Sequence, residues 1–303
     1  MIIVFGSINI DLVTKVAKIP GPGETVLGGD YATSPGGKGA NQALAARRAG
    51  ARVALAGAVG KDAFAAQALA LLRADGVDLS AMRECDAPTG AAFIAVDARG
   101  ENAIVVASGA NMQARAAQLA SLNIAPGDIL LLQRETPMAE TEAAALHAKA
   151  RGARVMLNLA PAGPVSEPLL RALDFICVNE HEALTLGAML NIEAKDPEAI
   201  CRAVDAGFNL AAIATLGPAG AVGFQKGLRV AAAAPSVEVV DTTGAGDTFV
   251  GAFAAALERA AGFEAAMRDG LAAGSLACAK PGAQPSMPDR REIAALAAKT
   301  WGV

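Results

Sequence analysis

The chain has 303 residues, 53% of them apolar, with 26 basic against 30 acidic side chains and a net charge of −4. That composition argues against a disordered chain. A weakly acidic balance without a Lys/Arg block, with one Trp and one Tyr, argues against a nucleic-acid binder held by charge and stacking.

The chain opens on Met1-Ile2-Ile3-Val4-Phe5-Gly6. No basic leader or cleavage site is present, so Ile2 to Gly6 reads as a buried strand and not as a signal peptide. No window approaches the roughly 18 unbroken apolar residues of a membrane span. The cysteines, Cys85, Cys177, Cys201 and Cys278, form no CxxC pair. They read as free thiols in a reducing cytoplasm and not as zinc ligands.

Gly6-Ser7-Ile8-Asn9-Ile10-Asp11 leaves the first strand. Asn9 and Asp11 are two apart, so in extended chain they face one side. An amide beside a carboxylate suits vicinal hydroxyls, although an ordinary Asx turn uses the same residues. A Gly/Pro-rich stretch, Pro20-Gly21-Pro22-Gly23, precedes a strand-like piece near Thr25 to Tyr31. Next comes Gly36-Gly37-Lys38-Gly39-Ala40-Asn41-Gln42-Ala43, which opens a helix from Gly39 to Ala49. Its glycines allow close approach to a ligand, and Lys38 and Asn41 share a face of the first turn. A glycine turn with a solvated lysine is the plainer alternative.

Arg52 to Ala58 reads as a strand and Ala63 to Ala74 as a helix. Between Thr89 and Ala107, two β-like runs flank the turn Asp97-Ala98-Arg99-Gly100. This excursion and the one before Gly36 fit no βα unit; together they read as one small sheet, a lid over a site at the strand ends. Ile129 to Leu132, Arg154 to Leu157, Phe175 to Val178 and Leu210 to Thr215 are short apolar runs, each near a helical stretch. The alternation predicts a parallel sheet covered by helices on both faces. Asn179-Glu180-His181-Glu182 follows the third of these runs. A carboxylate there could order magnesium-bound water, or the segment is simply an N-cap with acidic first-turn residues.

A strand-like run, Val237 to Val240, leads into Asp241-Thr242-Thr243-Gly244-Ala245-Gly246-Asp247-Thr248-Phe249, and an apolar helix leads out. The amides of Gly244, Ala245 and Gly246 at a helix N-terminus would form an anion hole for phosphate oxygens. Asp247 would accept the proton of an attacking hydroxyl. The rival reading is a helix start with a favourable acidic residue. No Gly-Lys-Ser/Thr follows, so this is not a Walker motif. Beyond Asp247 the chain reads as helical apart from Lys280 to Pro288.

In this order and spacing the motifs resemble the ribokinase family of sugar kinases over essentially the whole chain. Gly36 to Ala43 is similar to the family's N-terminal motif, and Asp241 to Asp247 to its C-terminal motif with the catalytic aspartate. Gly6 to Asn9, Pro22 to Thr25, Gly100 to Asn102, Gly109 to Asn111 and Gly282 to Ser286 strengthen the likeness. The resemblance implies a ribokinase-like three-layer α/β sandwich: one domain over residues 1–303, a central mostly parallel sheet, and a β-sheet lid from about residues 10–35 and 88–108. It implies transfer of the γ-phosphoryl of ATP to the primary hydroxyl of a pentose, D-ribose being the first expectation, through Asp247 with Gly244, Ala245 and Gly246. Asn9, Asp11, Gly36, Gly37, Lys38, Asn41 and Glu135 would hold the sugar, while Asn179, Thr215, Gly217 and Gly220 would lie along ATP. Glu182 would act on Mg2+ through water. Asp241, Thr243, Ala277, Lys280, Gly282 and Ser286 would form a site for a monovalent cation, K+. A homodimer through the lid follows from the same likeness. Leu271 stands where relatives often carry Asn or His near the adenine, Arg134 precedes Glu135 where an apolar residue is common, and Ser34-Pro35 gives the approach to Gly36 its own shape.

Three rivals stand beside this reading. A nucleoside kinase of the same fold would use the same Asp247, but few aromatic residues are available to wall a nucleobase. A non-catalytic sugar sensor would not need Asp247, the glycine turn and the Asn179/Glu182 pair. A nicotinamide oxidoreductase would need Gly-x-Gly-x-x-Gly after the first strand, and Gly6-Ser7-Ile8-Asn9 does not supply it.

Overall fold

The computed structural model describes residues 1–302. The first half of the chain contains β1 (Ile2–Phe5), β2 (Asn9–Val16), β3 (Gly28–Gly36), α1 (Lys38–Arg48), β4 (Val53–Gly60), α2 (Ala63–Ala68), α3 (Ala70–Ala74), β5 (Met82–Cys85), β6 (Gly90–Val96) and β7 (Asn102–Ala107). Then follow β8 (Ile129–Leu132), α4 (Met138–Ala150), β9 (Arg154–Asn158), α5 (Glu167–Ala172), β10 (Phe175–Asn179), α6 (Glu180–Met189), α7 (Pro197–Phe208) and β11 (Ala211–Thr215). The chain finishes with β12 (Ala221–Gln225), β13 (Leu228–Ala232), α8 (Ala245–Glu258), α9 (Phe263–Cys278) and α10 (Arg290–Trp301).

Nine strands form the main sheet in the order β13-β12-β11-β10-β9-β8-β1-β4-β5. Pairing is parallel from β5 to β11, and only the β11-β12 and β12-β13 pairings, at the edge, are antiparallel. Parallel strands lie under helices on both faces and are therefore apolar throughout. In β1, Ile2 and Val4 enter one core with Leu44, Phe253 and Met267, while Ile3 and Phe5 enter the other with Ala144, Leu186 and Val204. The pleat thus divides one short strand between α1, α8 and α9 on one face and α4, α6 and α7 on the other. No helix among the described residues is long and apolar enough to cross a membrane.

The two excursions form a separate four-stranded sheet, β3-β2-β6-β7. Its hairpin turn is closed as the sequence predicts: Gly100 N–H donates to Asp97 O at 3.0 Å, and the Asp97 carboxylate accepts from Arg99 and Glu101 N–H. The strand-like piece expected near Thr25 to Tyr31 lies further on, at Gly28–Gly36. Pro35 is acceptable there because β3 is an edge strand, where a missing N–H breaks no ladder bond. The single helix expected from Ala63 to Ala74 is broken at Leu69.

Val237 to Val240 form no strand. Val240 and Asp241 N–H both donate to the Cys278 carbonyl at the end of α9, at 2.8 and 3.1 Å. Their backbone need is met without a ladder, and the Val239 and Val240 side chains stay 62% and 59% exposed.

The chain leaves β1 toward β4 on one side of the sheet and later returns to β8 on the other. Such a reversal opens a crevice at the carboxyl ends of the strands. Ser7, Gln133, Asn158, Asn179 and Thr215 all stand at or just beyond those ends.

Candidate active site

Two helices point their N-termini into this crevice. Helix α1 begins after Gly37, whose φ of 89° suits glycine. A Cβ there would also come within 2.7 Å of Asn9 N. The helix has no side-chain N-cap, so its first donors are met by other strand ends. Lys38 N–H donates to Glu135 Oε2 at 3.2 Å, Gly39 N–H to Ser7 Oγ at 3.2 Å, and Ala40 N–H to Ser7 O at 2.9 Å. Ser7 Oγ in turn donates to Glu135 Oε2 at 2.6 Å. An acidic group at a helix N-terminus is electrostatically favourable, and this arrangement leaves Glu135 Oε1 for a ligand.

Helix α8 begins after Gly244, at φ 75°. Ala245 N–H donates to Thr242 O at 3.2 Å and is tied into the turn. The N–H groups of Gly244, Gly246 and Asp247 meet no acceptor among the described residues. Backbone donors of this kind at a helix start suit an anion.

Asp247 is 8% exposed. Asn41 Nδ2 donates to its Oδ2 and Gln42 Nε2 to its Oδ1, each at 2.9 Å. Asn9 is placed in a similar way: its Oδ1 accepts from Asn111 Nδ2 at 2.7 Å, and Asn111 also bridges the N–H and carbonyl of Ile8. Glu182 and Asn179 form the capping box of α6, with Asn179 N–H donating to Glu182 Oε2 at 2.8 Å and Glu182 N–H to Asn179 Oδ1 at 2.8 Å. The N-cap reading therefore holds for this pair, and Glu182, at 7% exposure, also lines the small polar chamber described next.

That chamber, about 150 Å3, is bounded by Lys38, Asn179, Glu182, Gly244, Gly246 and Asp247. It meets a larger cleft of about 430 Å3 at Thr215 and Gly246. The larger cleft is walled by Gly217, Gly220, Val237, Phe249, Leu271 and Cys278. Its size and apolar lining suit the base and ribose of a nucleotide. All the residues expected along ATP border one of these two spaces. Leu271 supplies an aliphatic wall where an amide or imidazole was the family expectation.

Lys38 is the positive centre of the site. Its ammonium pKa is raised chiefly by Asp247, against burial, with Glu135, Glu182 and Asp11 adding to the rise. Burial pushes the Glu182 carboxyl up, partly offset by the Asn179 amide and Lys38. Burial, followed by Glu135 and Asp247, pushes the Asp11 carboxyl up to about 6, while Lys38 opposes the rise.

The Asp11 shift has a sign that can be measured. The folded-state value lies above the ordinary 3.8. The stability carried by the protonated form is therefore fully present below about pH 3.8 and is lost as pH rises through about 6. Asp11→Asn stays neutral. It should melt a few degrees above wild type near pH ~7.5, with the gap closing by about pH 4, and it should bind the sugar more weakly by a factor of ten or more. Thermal melts at both pH values and calorimetry with the sugar test this. A melting gap that does not grow with pH would contradict the assignment.

The segments expected to surround a monovalent cation do meet. Gly282 N–H donates to Asp241 Oδ2 at 2.8 Å, and Asp241 Oδ1 accepts from the N–H and Oγ1 of Thr243 at 2.9 and 2.6 Å. These bonds, working against burial, hold the Asp241 carboxyl below its ordinary range. Ser286 Oγ donates to Ala283 O at 2.8 Å. The Ala277 carbonyl accepts from Lys280 N–H at 3.3 Å. The Lys280 side chain turns away to Glu292, leaving only its backbone on this loop. An ionised carboxylate fixed between two loops fits a cation.

Gln42 has no role legible from the motif that contains it, and Gln133, Asn158, Gln284 and Asn111 join the site only through the fold. Gln133 and Asn158 carry a local signal, a polar residue closing an apolar strand run, whereas Gln42 on its helix and Asn111 and Gln284 in short turns carry none.

A nucleotide-sized cleft joined through a glycine turn and a buried carboxylate to a polar chamber defines a phosphotransferase for a small hydroxyl compound. The pfkB family carbohydrate kinase model matches residues 1–290, and the chain belongs to that family. It is 40% identical over 296 residues to the ribokinase of Haemophilus influenzae, covering 95% of each chain. It is 38% identical to that of Bacillus subtilis, covering 96% of this chain and 97% of the relative. Among solved structures, the ribokinase of Thermotoga maritima superposes with a TM-score of 0.90 at 33% identity, covering 97% of this chain and 98% of the other. That of Arabidopsis thaliana, complexed with ribose and ATP, superposes with 0.85 at 32% identity over 98% of each chain.

Proposed function

We propose that this carbohydrate kinase transfers the γ-phosphoryl of ATP to the primary hydroxyl of D-ribose, giving D-ribose 5-phosphate. The observation that carries the reading is the place of Asp247, which lines the polar chamber with Lys38 and Gly246, next to the nucleotide-sized cleft, and lies near enough to Asp11 and Glu135 to act on the Asp11 carboxyl. In this reading the two acidic side chains and the Asn9 amide orient the sugar hydroxyls. Asp247 takes the proton of the attacking hydroxyl. Lys38 and the open amides of the glycine turn receive the charge of the transferred phosphoryl. Asn179, Thr215, Gly217 and Gly220 line the path of ATP. The lid covers the sugar and keeps out water that would otherwise hydrolyse ATP.

Glu182 fits a water-mediated magnesium role, since Oε1 is left unused by the capping box, and the ion would neutralise phosphate charge. Asp241, Thr243 and the backbone of Ala277, Lys280, Gly282 and Ser286 would hold K+, whose charge would stiffen the turn at Gly244. The lid exposes Tyr31, Phe93 and Val105, at 69%, 52% and 67%. They lie on one face of the sheet by its register. We read that face as the contact with the lid of a second copy, and sedimentation of the purified chain should give a dimer mass.

The test is ADP release across free pentoses, hexoses, adenosine and inosine. D-ribose should have the highest kcat/KM, by at least about tenfold, and potassium should raise kcat over sodium at equal ionic strength. A preferred nucleoside would replace the sugar assignment, and equal rates in both salts would remove the cation site.

A further inference from the structure

Gln42 is fully buried at the start of α1, one residue beyond Asn41. Every polar atom of its side chain is used. Nε2 donates to Asp247 Oδ1 and to Asn158 Oδ1, each at 2.9 Å, while Oε1 accepts from Gln133 Nε2 at 2.7 Å. A carboxylate can only accept, so the amide orientation follows from its partners. Asn158 is held in turn, its Nδ2 donating to the Cys177 carbonyl at 3.3 Å. On the other side of Asp247, Asn41 Oδ1 accepts from Gln284 Nε2 at 3.1 Å. The chain Gln133–Gln42–Asp247–Asn41–Gln284 therefore runs from the end of β8, through α1 and α8, to the turn before α10. Gln133 itself has a dedicated place, because a Cβ on Gly6 would occupy the position of its Oε1.

We propose that Gln42 is a positioning residue for the phosphoryl transfer. Clamped between Gln133 and Asn158, its carboxamide fixes the Asp247 carboxylate so that one oxygen faces the attacking hydroxyl. The proposal rests on the reading of Asp247 as the base. An amide takes no proton in the reaction, and Gln42 touches no ligand space. Its contribution is therefore geometric and acts only through Asp247. A misplacement of about 1 Å at a reacting group costs on the order of 100-fold in rate.

Gln42→Met keeps length and volume and removes both donors. It should lower kcat by roughly tenfold to 100-fold while leaving KM for sugar and for ATP within about threefold. The same substitution placed on Asp247→Ala should bring no further loss, because residues acting as one unit are not additive. An equal loss in both backgrounds, a rise in both KM values, or a kcat within twofold of wild type would each overturn the proposal. If Gln42→Met does not fold, Gln133→Met carries the test. It frees one end of the clamp and should lower kcat about threefold or more, again only with Asp247 present. Asp247→Ala alone reports on the base: if it retains most of wild-type activity, the base assignment falls, whatever the Gln42 variants do.

Discussion

Asp247→Asn should lower kcat by roughly 100- to 10,000-fold, the usual cost of losing a general base. Sugar and ATP should still bind within severalfold of wild type, as read by calorimetry. The substitution is not silent structurally. Both oxygens of Asp247 accept, one from Asn41 and one from Gln42. An Asn at this position would set an NH2 against one of those donors, and rotating Asn41 to relieve it would only move the conflict to Gln284. A buried donor left without an acceptor costs about 1–3 kcal/mol, so a lower melting temperature should accompany the loss of turnover. Asp247→Ala removes the base and leaves both donors, Asn41 Nδ2 and Gln42 Nε2, without this acceptor, so it should lose turnover with a stability cost at least as large. If either variant turns over within a fewfold of wild type, another group must take the proton.

Lys38→Met should be the second most damaging change, with kcat/KM down roughly 100- to 1,000-fold, or ~3–4 kcal/mol for stripping one charge from a buried ionic cluster. Methionine reproduces the stem and removes the ammonium. Lys38 is the cation that opposes the upward shift of both Asp11 and Glu182. Without it both carboxyls move further up, and a polyanionic nucleotide must enter against an acidic site. The remaining activity should therefore have its acid limb at higher pH than wild type. Lys38→Arg should recover only part of the rate, because a planar guanidinium does not fit where a compact ammonium sits. Activity within about fivefold of wild type for Lys38→Met would show that the ammonium is not what balances the site.

Much of the scaffold was legible from local pattern. Apolar runs of four or five residues alternating with helical stretches lead to a parallel sheet, because a strand covered on both faces has to be apolar on both. The two excursions at Asn9 to Gly36 and Thr89 to Ala107 interrupt that rhythm and become the separate four-stranded sheet. Glycines beside Lys38 and before Asp247 mark the two helix starts where backbone approaches ligand. The misplaced features share one cause, which is that a local pattern does not say what satisfies the backbone. Val237 to Val240 has strand composition, yet the end of α9 takes the N–H groups of Val240 and the following Asp241. The strand expected near Thr25 to Tyr31 lies instead at Gly28–Gly36, an edge strand that accommodates Pro35 because its outer side needs no partner.

By itself the sequence determined the alternation of elements, the two excursions that leave it, the two glycine turns and Asp247 as the candidate base, since each depends on neighbours within a few positions. The tertiary structure alone decided how that residue is held. Gln42 and Asp247 are separated by 205 positions and Asn41 and Gln284 by 243. In sequence, a glutamine on a helix looks like a solvated side chain. It becomes a buried clamp only when α1, α8 and the ends of β8 and β9 close around it, because a buried amide is stable only once every donor it brings has an acceptor.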